Sequence, residues 1–245
     1  MNERILRRIV ENEPERFVVP GSTPVISFGD FTKAKLLTVS INPSSLEFAT
    51  KGKLFPETQK RLVDKEALGI DLRAELLEEH AERIWKGCQA YFKVNPYIWF
   101  ESIGSLLSTI EYSYLEGNAA HVDLVQWSTF PAWKDIPKEA QRNFITKDLN
   151  FLEYQISMPN VEILVVNGLQ VVNTLKELNG FKIEVKEELK YKSGDKSKTC
   201  RLLVGVGPHG KKIVGWTSTI KSLQVSNEER SRIYKELGSW IARNA

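Results

Sequence analysis

Cysteine and histidine are scarce in this chain. Two cysteines, Cys88 and Cys200, lie far apart, and three histidines, His80, His121 and His209, form no C-x-x-C or H-x-x-x-H spacing. That excludes a disulfide framework and argues against a zinc site. The expected compartment is the cytoplasm, where thiols stay reduced. Long apolar runs are missing too: no stretch of about 18 or more residues could span a membrane. The first ten residues carry Arg4, Arg7 and Arg8 and lack a continuous apolar segment, so no secretory signal is expected. There is no internal repeat and no low-complexity tract. Charge excess is small, +3 overall, and does not by itself mark a nucleic-acid binder.

What is present is enough to fold. Of 245 residues 42% are hydrophobic, a proportion that can bury a core and that disordered chains do not reach. The length suits one α/β domain or two small ones. We read it as a single domain, 1–245, with a helical insertion at about 51–92. Charge is unevenly spread. Residues 182–221 hold about ten Lys/Arg against four Asp/Glu, whereas residues 57–82 hold about eight acids against four bases. One region attracts a polyanion and another repels it.

Apolar, β-branched runs at 35–41, 121–126, 161–166 and 211–216 read as strands, with further strands at 181–189 and 199–206 around a charged hairpin. Helices are predicted over 1–11, most of 57–92 (broken near Gly69), 97–110, 137–157 behind Pro137, and 168–178. A last helix starts at Ser226, with Glu229 three residues on. Strands alternating with helices give an α/β class, a three-layer α/β/α arrangement with a mainly parallel central sheet. Ligands then bind beyond the carboxyl ends of the strands. Those ends are Asn42-Pro43-Ser44, Asp123 to Trp127, Asn167-Gly168 and Trp216-Thr217-Ser218.

Gly205 to Lys212 matches the glycine and lysine spacing of a phosphate loop, but Lys212 stands where a magnesium-binding Ser/Thr belongs, and strand rather than helix follows. It reads as a basic turn.

Ser40-Ile41-Asn42-Pro43-Ser44-Ser45 is a short motif closing a buried strand. It resembles the first motif of the uracil-DNA glycosylase superfamily, which some members carry as G-[IM]-N-P-G. Three more segments fall in that family's order. His121 to Gln126 resembles the sheet segment that ends in a base-reading residue. Val161 to Leu175 is similar to its strand-glycine-helix segment. Gly215-Trp216-Thr217-Ser218-Thr219-Ile220 stands where the family has H-P-S or N-P-S. The resemblance covers roughly residues 35–243. Ser44 replaces the family's glycine and Trp216-Thr217 its His-Pro, and loss of that histidine argues against uracil as substrate.

The resemblance implies a monofunctional DNA glycosylase that flips a base out, releases it and leaves an abasic site, with no metal and no cofactor. Asn42 is the catalytic candidate. A neutral amide orients water by hydrogen bonding but is a poor base. Phe48, or Phe55 in its place, is the ring for stacking on the base. Asp123 reads the base edge, with Gln126 as the alternative reader. An ionised aspartate only accepts hydrogen bonds, which suits the N4 amine of cytosine and not O4 of uracil. Plain cytosine cannot be the target without destroying the cell's own genome. The expected substrate is therefore a modified cytosine, such as glucosylated hydroxymethylcytosine of phage DNA, removed as antiviral defence. Trp127 and Trp133 are candidates to stack on the attached sugar. The alternatives are a uracil or deaminated-base repair enzyme and a non-catalytic DNA-binding protein. Ser44, Ser45, Thr217, Ser218 and Lys221 are expected at phosphates. Trp216 or Ile220 is expected as a wedge in the base stack. Lys211 and Lys212 add sequence-independent attraction. The partner expected is DNA with a modified or damaged base, and the protein is expected to act as a monomer.

Overall fold

The computed structural model describes residues 1–14, 16–220 and 223–245. In chain order its elements are α1 (Glu3–Ile9), β1 (Leu36–Ser40), β2 (Ala49–Thr50), β3 (Lys53–Leu54), α2 (Lys65–Leu68), α3 (Glu78–Val94), α4 (Trp99–Leu107), β4 (Ala119–Asp123), α5 (Lys138–Ile156), β5 (Ile163–Asn167), α6 (Leu169–Lys176), β6 (Lys182–Ser193), β7 (Lys196–Val206), β8 (Lys212–Trp216) and α7 (Asn227–Asn244). The class is α/β. Six strands form one sheet in the order β4-β1-β5-β8-β7-β6, flanked by helices, as in a three-layer α/β/α arrangement. The expected parallel pairing holds at the centre, where β1, β5 and β8 run side by side, with Leu37 opposite Leu164 and Val165 opposite Val214. The β6–β7 hairpin adds an antiparallel edge.

The strands form where apolar, branched residues are uninterrupted. Leu36, Leu37, Leu164, Val166 and Val214 are fully buried. Each such side chain contributes about 1.5–3 kcal/mol from burial. Gly215 has a packing reason: a Cβ there would overlap Val166 of the adjacent strand. Ser226 caps α7 as predicted, its hydroxyl accepting from Glu229 N over 3.2 Å.

The chain divides into two compact units. The first comprises Met1–Asp30, Ile41–Tyr97 and His121–Gln155, and the second Phe31–Ser40, Ile98–Ala120 and Ile156–Ala245. The segment expected to be mostly helical over 57–92 is helical only in part. Pro56 allows a single 3₁₀ turn, Asp64 caps the four-residue α2, and Gly69 in the left-handed region (φ 75°) ends it. Only α3 is a long helix. The β2–β3 hairpin, which the sequence reading did not anticipate, precedes these turns.

Among the described residues no helix is long and apolar enough to cross a membrane.

Candidate functional site

The Asn-Pro motif follows β1 directly, and the segment after β4 holds it in place. Val125 N donates to Ile41 O over 2.8 Å. Ser128 Oγ donates to Ser44 O over 2.9 Å. Asn42 Nδ2 donates both to Pro43 O and to Thr129 Oγ1, each over 2.9 Å. The amide nitrogen is thereby spent within the turn. The Oδ1 of half-buried Asn42 accepts no hydrogen bond from a described residue, so the side chain presents an acceptor of fixed orientation. Ser44 is exposed and caps the next turn, its Oγ accepting from Leu46 N.

That turn, Ser45–Glu47, carries a residue the sequence reading passed over. Glu47 is 2% exposed. Its Oε2 accepts from Tyr91 OH over 2.7 Å, and the same hydroxyl oxygen accepts from Tyr97 N over 2.9 Å. Burial pushes the Glu47 carboxyl up to about 7; Tyr91 and Arg61 offset part of this, and the charge of Asp123 adds to it. A lone Glu inside Leu46-Glu47-Phe48-Ala49 was the available signal, since an acid flanked by apolar residues needs a partner when it is buried.

Asp123, at the end of β4, is 3% exposed. His121 Nε2 lies 3.5 Å from its Oδ1, at the edge of hydrogen-bond range, and that oxygen has no hydrogen-bond partner among the described residues. Burial raises this carboxyl as well, and His121 opposes the shift. Phe28 packs against both neighbours, its ring 4.6 Å from that of Tyr91 and 5.5 Å from that of His121. Asn42, Thr129, Glu47, Tyr91, His121 and Asp123 all belong to the first unit.

Gln126 is fully buried and both ends of its amide are occupied. Its Nε2 donates to Asp123 O over 2.7 Å, and its Oε1 accepts from Arg8 Nε over 3.0 Å. Of the two reader candidates, Asp123 keeps an oxygen that makes no hydrogen bond among the described residues, with His121 Nε2 3.5 Å away, whereas Gln126 keeps none. Phe48 and Phe55 are buried, and Phe55 lies under the Arg61 guanidinium at 5.3 Å.

Several expected surface residues are core. Trp127 and Trp133 are buried, the first beside Arg8 and the second against Phe144, so neither offers a face to a sugar. In the second unit Trp216 is 0% exposed, and its Nε1 donates to Asn167 Oδ1 over 2.8 Å. Ile220 is equally buried, and its N donates to the same oxygen over 3.3 Å. Neither is a wedge in this structure. Thr217 Oγ1 accepts from Arg201 N. Lys211 Nζ donates to Met158 O and Val161 O, at 3.0 and 2.7 Å, so its charge closes a turn before β5. Lys212 Nζ donates to Ala245 O. Ser45 and Ser218 are half-buried at loops, and Lys221 lies outside the described residues.

The Gly205–Lys212 segment is the turn between β7 and β8, as its sequence predicts. Among the described residues no group of three or more His, Cys, Asp or Glu is placed to hold a metal ion. No family model matches the chain, and no curated protein matches it.

Proposed function

We propose that this chain is a monofunctional DNA glycosylase that takes a modified cytosine out of the stack, hydrolyses its glycosidic bond and leaves an abasic site. The observation that carries the reading is the fixed amide of Asn42, whose nitrogen is tied to Pro43 O and Thr129 Oγ1 while its oxygen is left as an acceptor. In this reading Oδ1 holds the attacking water against C1′ of the flipped nucleotide. Breaking the bond builds positive charge on the sugar, and rate comes from positioning and electrostatics rather than from a strong base. Flipping is required because the bond is out of reach inside a duplex.

Asp123 supports the substrate assignment. A buried carboxylate oxygen that makes no hydrogen bond among the described residues, with His121 Nε2 3.5 Å away, suits the exocyclic amine of a cytosine. A modification on the base spares unmodified cellular DNA, and phage cytosines carrying hydroxymethyl or glucosyl groups meet that need. The enzyme would act in the cytoplasm, which suits two buried free thiols.

One observation favours a second reading. Burial raises the Asp123 carboxyl, and in its protonated form it donates to O4 of uracil, as a repair enzyme for deaminated bases requires.

Base release from duplex and single-stranded oligonucleotides containing uracil, cytosine, hydroxymethylcytosine or its glucosylated form separates the two. Release of a modified cytosine that Asn42→Ala abolishes supports the first reading. Release of uracil alone replaces it with the second. No release from any substrate leaves a DNA-binding protein without this chemistry.

A further inference from the structure

Two buried acids stand in the first unit where the proposed reaction needs one reader and one proton source. Glu47 lies five residues after Asn42, and Asp123 two residues before Val125, whose N–H ties to the Asn42 turn at Ile41. The charge of Asp123 reaches Glu47 through the protein interior. Two carboxyl groups that share a buried site do not both ionise without large cost, so one retains a proton near neutral pH. The other charged or titratable groups facing Glu47 are Tyr91, on α3, and Arg61. His121 faces Asp123.

We propose that Glu47 is the general acid that protonates the departing base, and that this proton makes an aminopyrimidine a feasible leaving group. The inference rests on the glycosylase reading above. Uracil leaves as an anion spread over two carbonyls. Cytosine and its 5-substituted derivatives have one carbonyl and an electron-releasing amine, so they leave far better as neutral molecules. In the step, the C1′–N1 bond breaks and its electron pair passes into the base ring. The Glu47 carboxyl proton moves to N3 or O2 of the base, and Glu47 becomes a carboxylate. The water held by Asn42 adds to C1′, and its proton returns the carboxylate to the acid. Asp123 accepts from the N4 amine throughout.

The arrangement around Glu47 fits a donor. Tyr91 OH already receives Tyr97 N–H and gives its own proton to Oε2. That fixes the carboxyl plane and leaves Oε1 without a described hydrogen-bond donor. A carboxyl raised to about 7 keeps its proton on about half of the molecules at neutral pH and parts with it readily, as an efficient acid should.

The test is single-turnover base release by wild type, Glu47→Gln and Glu47→Asp on oligonucleotides carrying hydroxymethylcytosine, glucosylated hydroxymethylcytosine or uracil, from pH 5 to 9. With a general acid, the wild-type rate on the cytosine substrate falls as pH climbs through about 7. Glu47→Gln loses about 10²-fold or more and the alkaline fall disappears. Glu47→Asp keeps a fall, moved to lower pH. If Glu47→Gln does not fold, by its circular dichroism, the Asp variant decides, and an unmoved fall overturns the inference. Wild-type release with Glu47→Gln within about threefold of it and the same profile overturns the inference and leaves the glycosylase reading intact. No release by wild type from any substrate overturns both.

Discussion

Thr129 holds Asn42: the hydroxyl oxygen of the one accepts from the side-chain nitrogen of the other over 2.9 Å, bridging two segments 87 residues apart. Without that hydroxyl the amide can turn over and present nitrogen where oxygen stands. Thr129→Val keeps the shape of a fully buried side chain and removes the acceptor. The expected result is a single-turnover rate lower by about tenfold with little change in KM, since misorientation of a positioned group costs rate more than binding. Asn42→Ala is expected to lose about 10²-fold or more. Equal rates for Thr129→Val and wild type would show that the orientation of Asn42 does not matter.

The raised Glu47 carboxyl makes stability depend on pH in a defined direction. Its carboxyl rises from 4.5 to about 7 on folding, so between those values the native state binds more protons than the unfolded chain. Stability from this group is complete below about pH 4.5 and is lost as pH climbs through 7. At 1.36 kcal/mol per unit the full loss is about 3 kcal/mol. Glu47→Gln removes the dependence, so it should melt higher than wild type at pH 8.5 and close to it at pH 4.5. Thermal melts at the two pH values measure this, and parallel curves would refute it.

Trp216 and Asn167 form a buried hydrogen bond that a search for DNA-binding residues would misassign. Asn167→Ala orphans the Trp216 indole N–H and the Ile220 amide together. Each unsatisfied buried donor costs about 1–3 kcal/mol. Urea unfolding of Asn167→Ala should therefore show a loss of at least about 2 kcal/mol. A fully stable variant with weakened DNA binding would instead restore Trp216 as a contact residue.

Arg8, Asp148 and Gln126 form a buried polar cluster within the first unit. Arg8 pairs with Asp148 at 2.9 Å, and Asp148 Oδ2 also receives Gln126 N at 2.8 Å. Asp148→Ala leaves the buried Arg8 guanidinium with exposed Glu11, 3.1 Å away, as its counter-charge and should cost up to about 3–5 kcal/mol. Replacing both charges, as Arg8→Met with Asp148→Leu, should cost less than the single change. Denaturant titration of Arg8→Met, Asp148→Leu and the double variant tests this, and simple additivity would disprove coupling.

The sheet was legible because its signal is local. The run Ile163–Val166 is apolar at every position and Leu36–Val39 at all but Thr38, as strands covered on both faces tend to be, and the Ser226 cap is a short-range hydrogen bond between neighbours in sequence. The tryptophans were not legible. Trp216 ends a strand, where an aromatic ring lies inside or outside according to the packing over it, and the partner that settles this, Asn167, is 49 residues away. Residues 57–92 misled for the opposite reason: many good helix formers stand there, but local caps at Asp64 and Gly69 stop each turn. Asn42 and Asp123 were found by resemblance to a motif. Glu47 was not, because burial of a single acid comes from Tyr91, 44 residues along the chain.

The β6–β7 hairpin ends in a two-residue turn, and at Gly194 (φ 60°) no atom of a residue beyond its two chain neighbours lies within 4 Å of where a Cβ would stand. The strand entering that turn is tied down just before it, with Lys192 N donating to Glu229 and Lys190 O accepting from Arg232. A fluorophore attached to a cysteine at neighbouring exposed Asp195 would sit on a stiff stalk, among the lysines of the most basic stretch of the chain. The hairpin thus offers a built-in reporter position, able to register a passing polyanion by its emission without a change to any residue of the Asn42 turn.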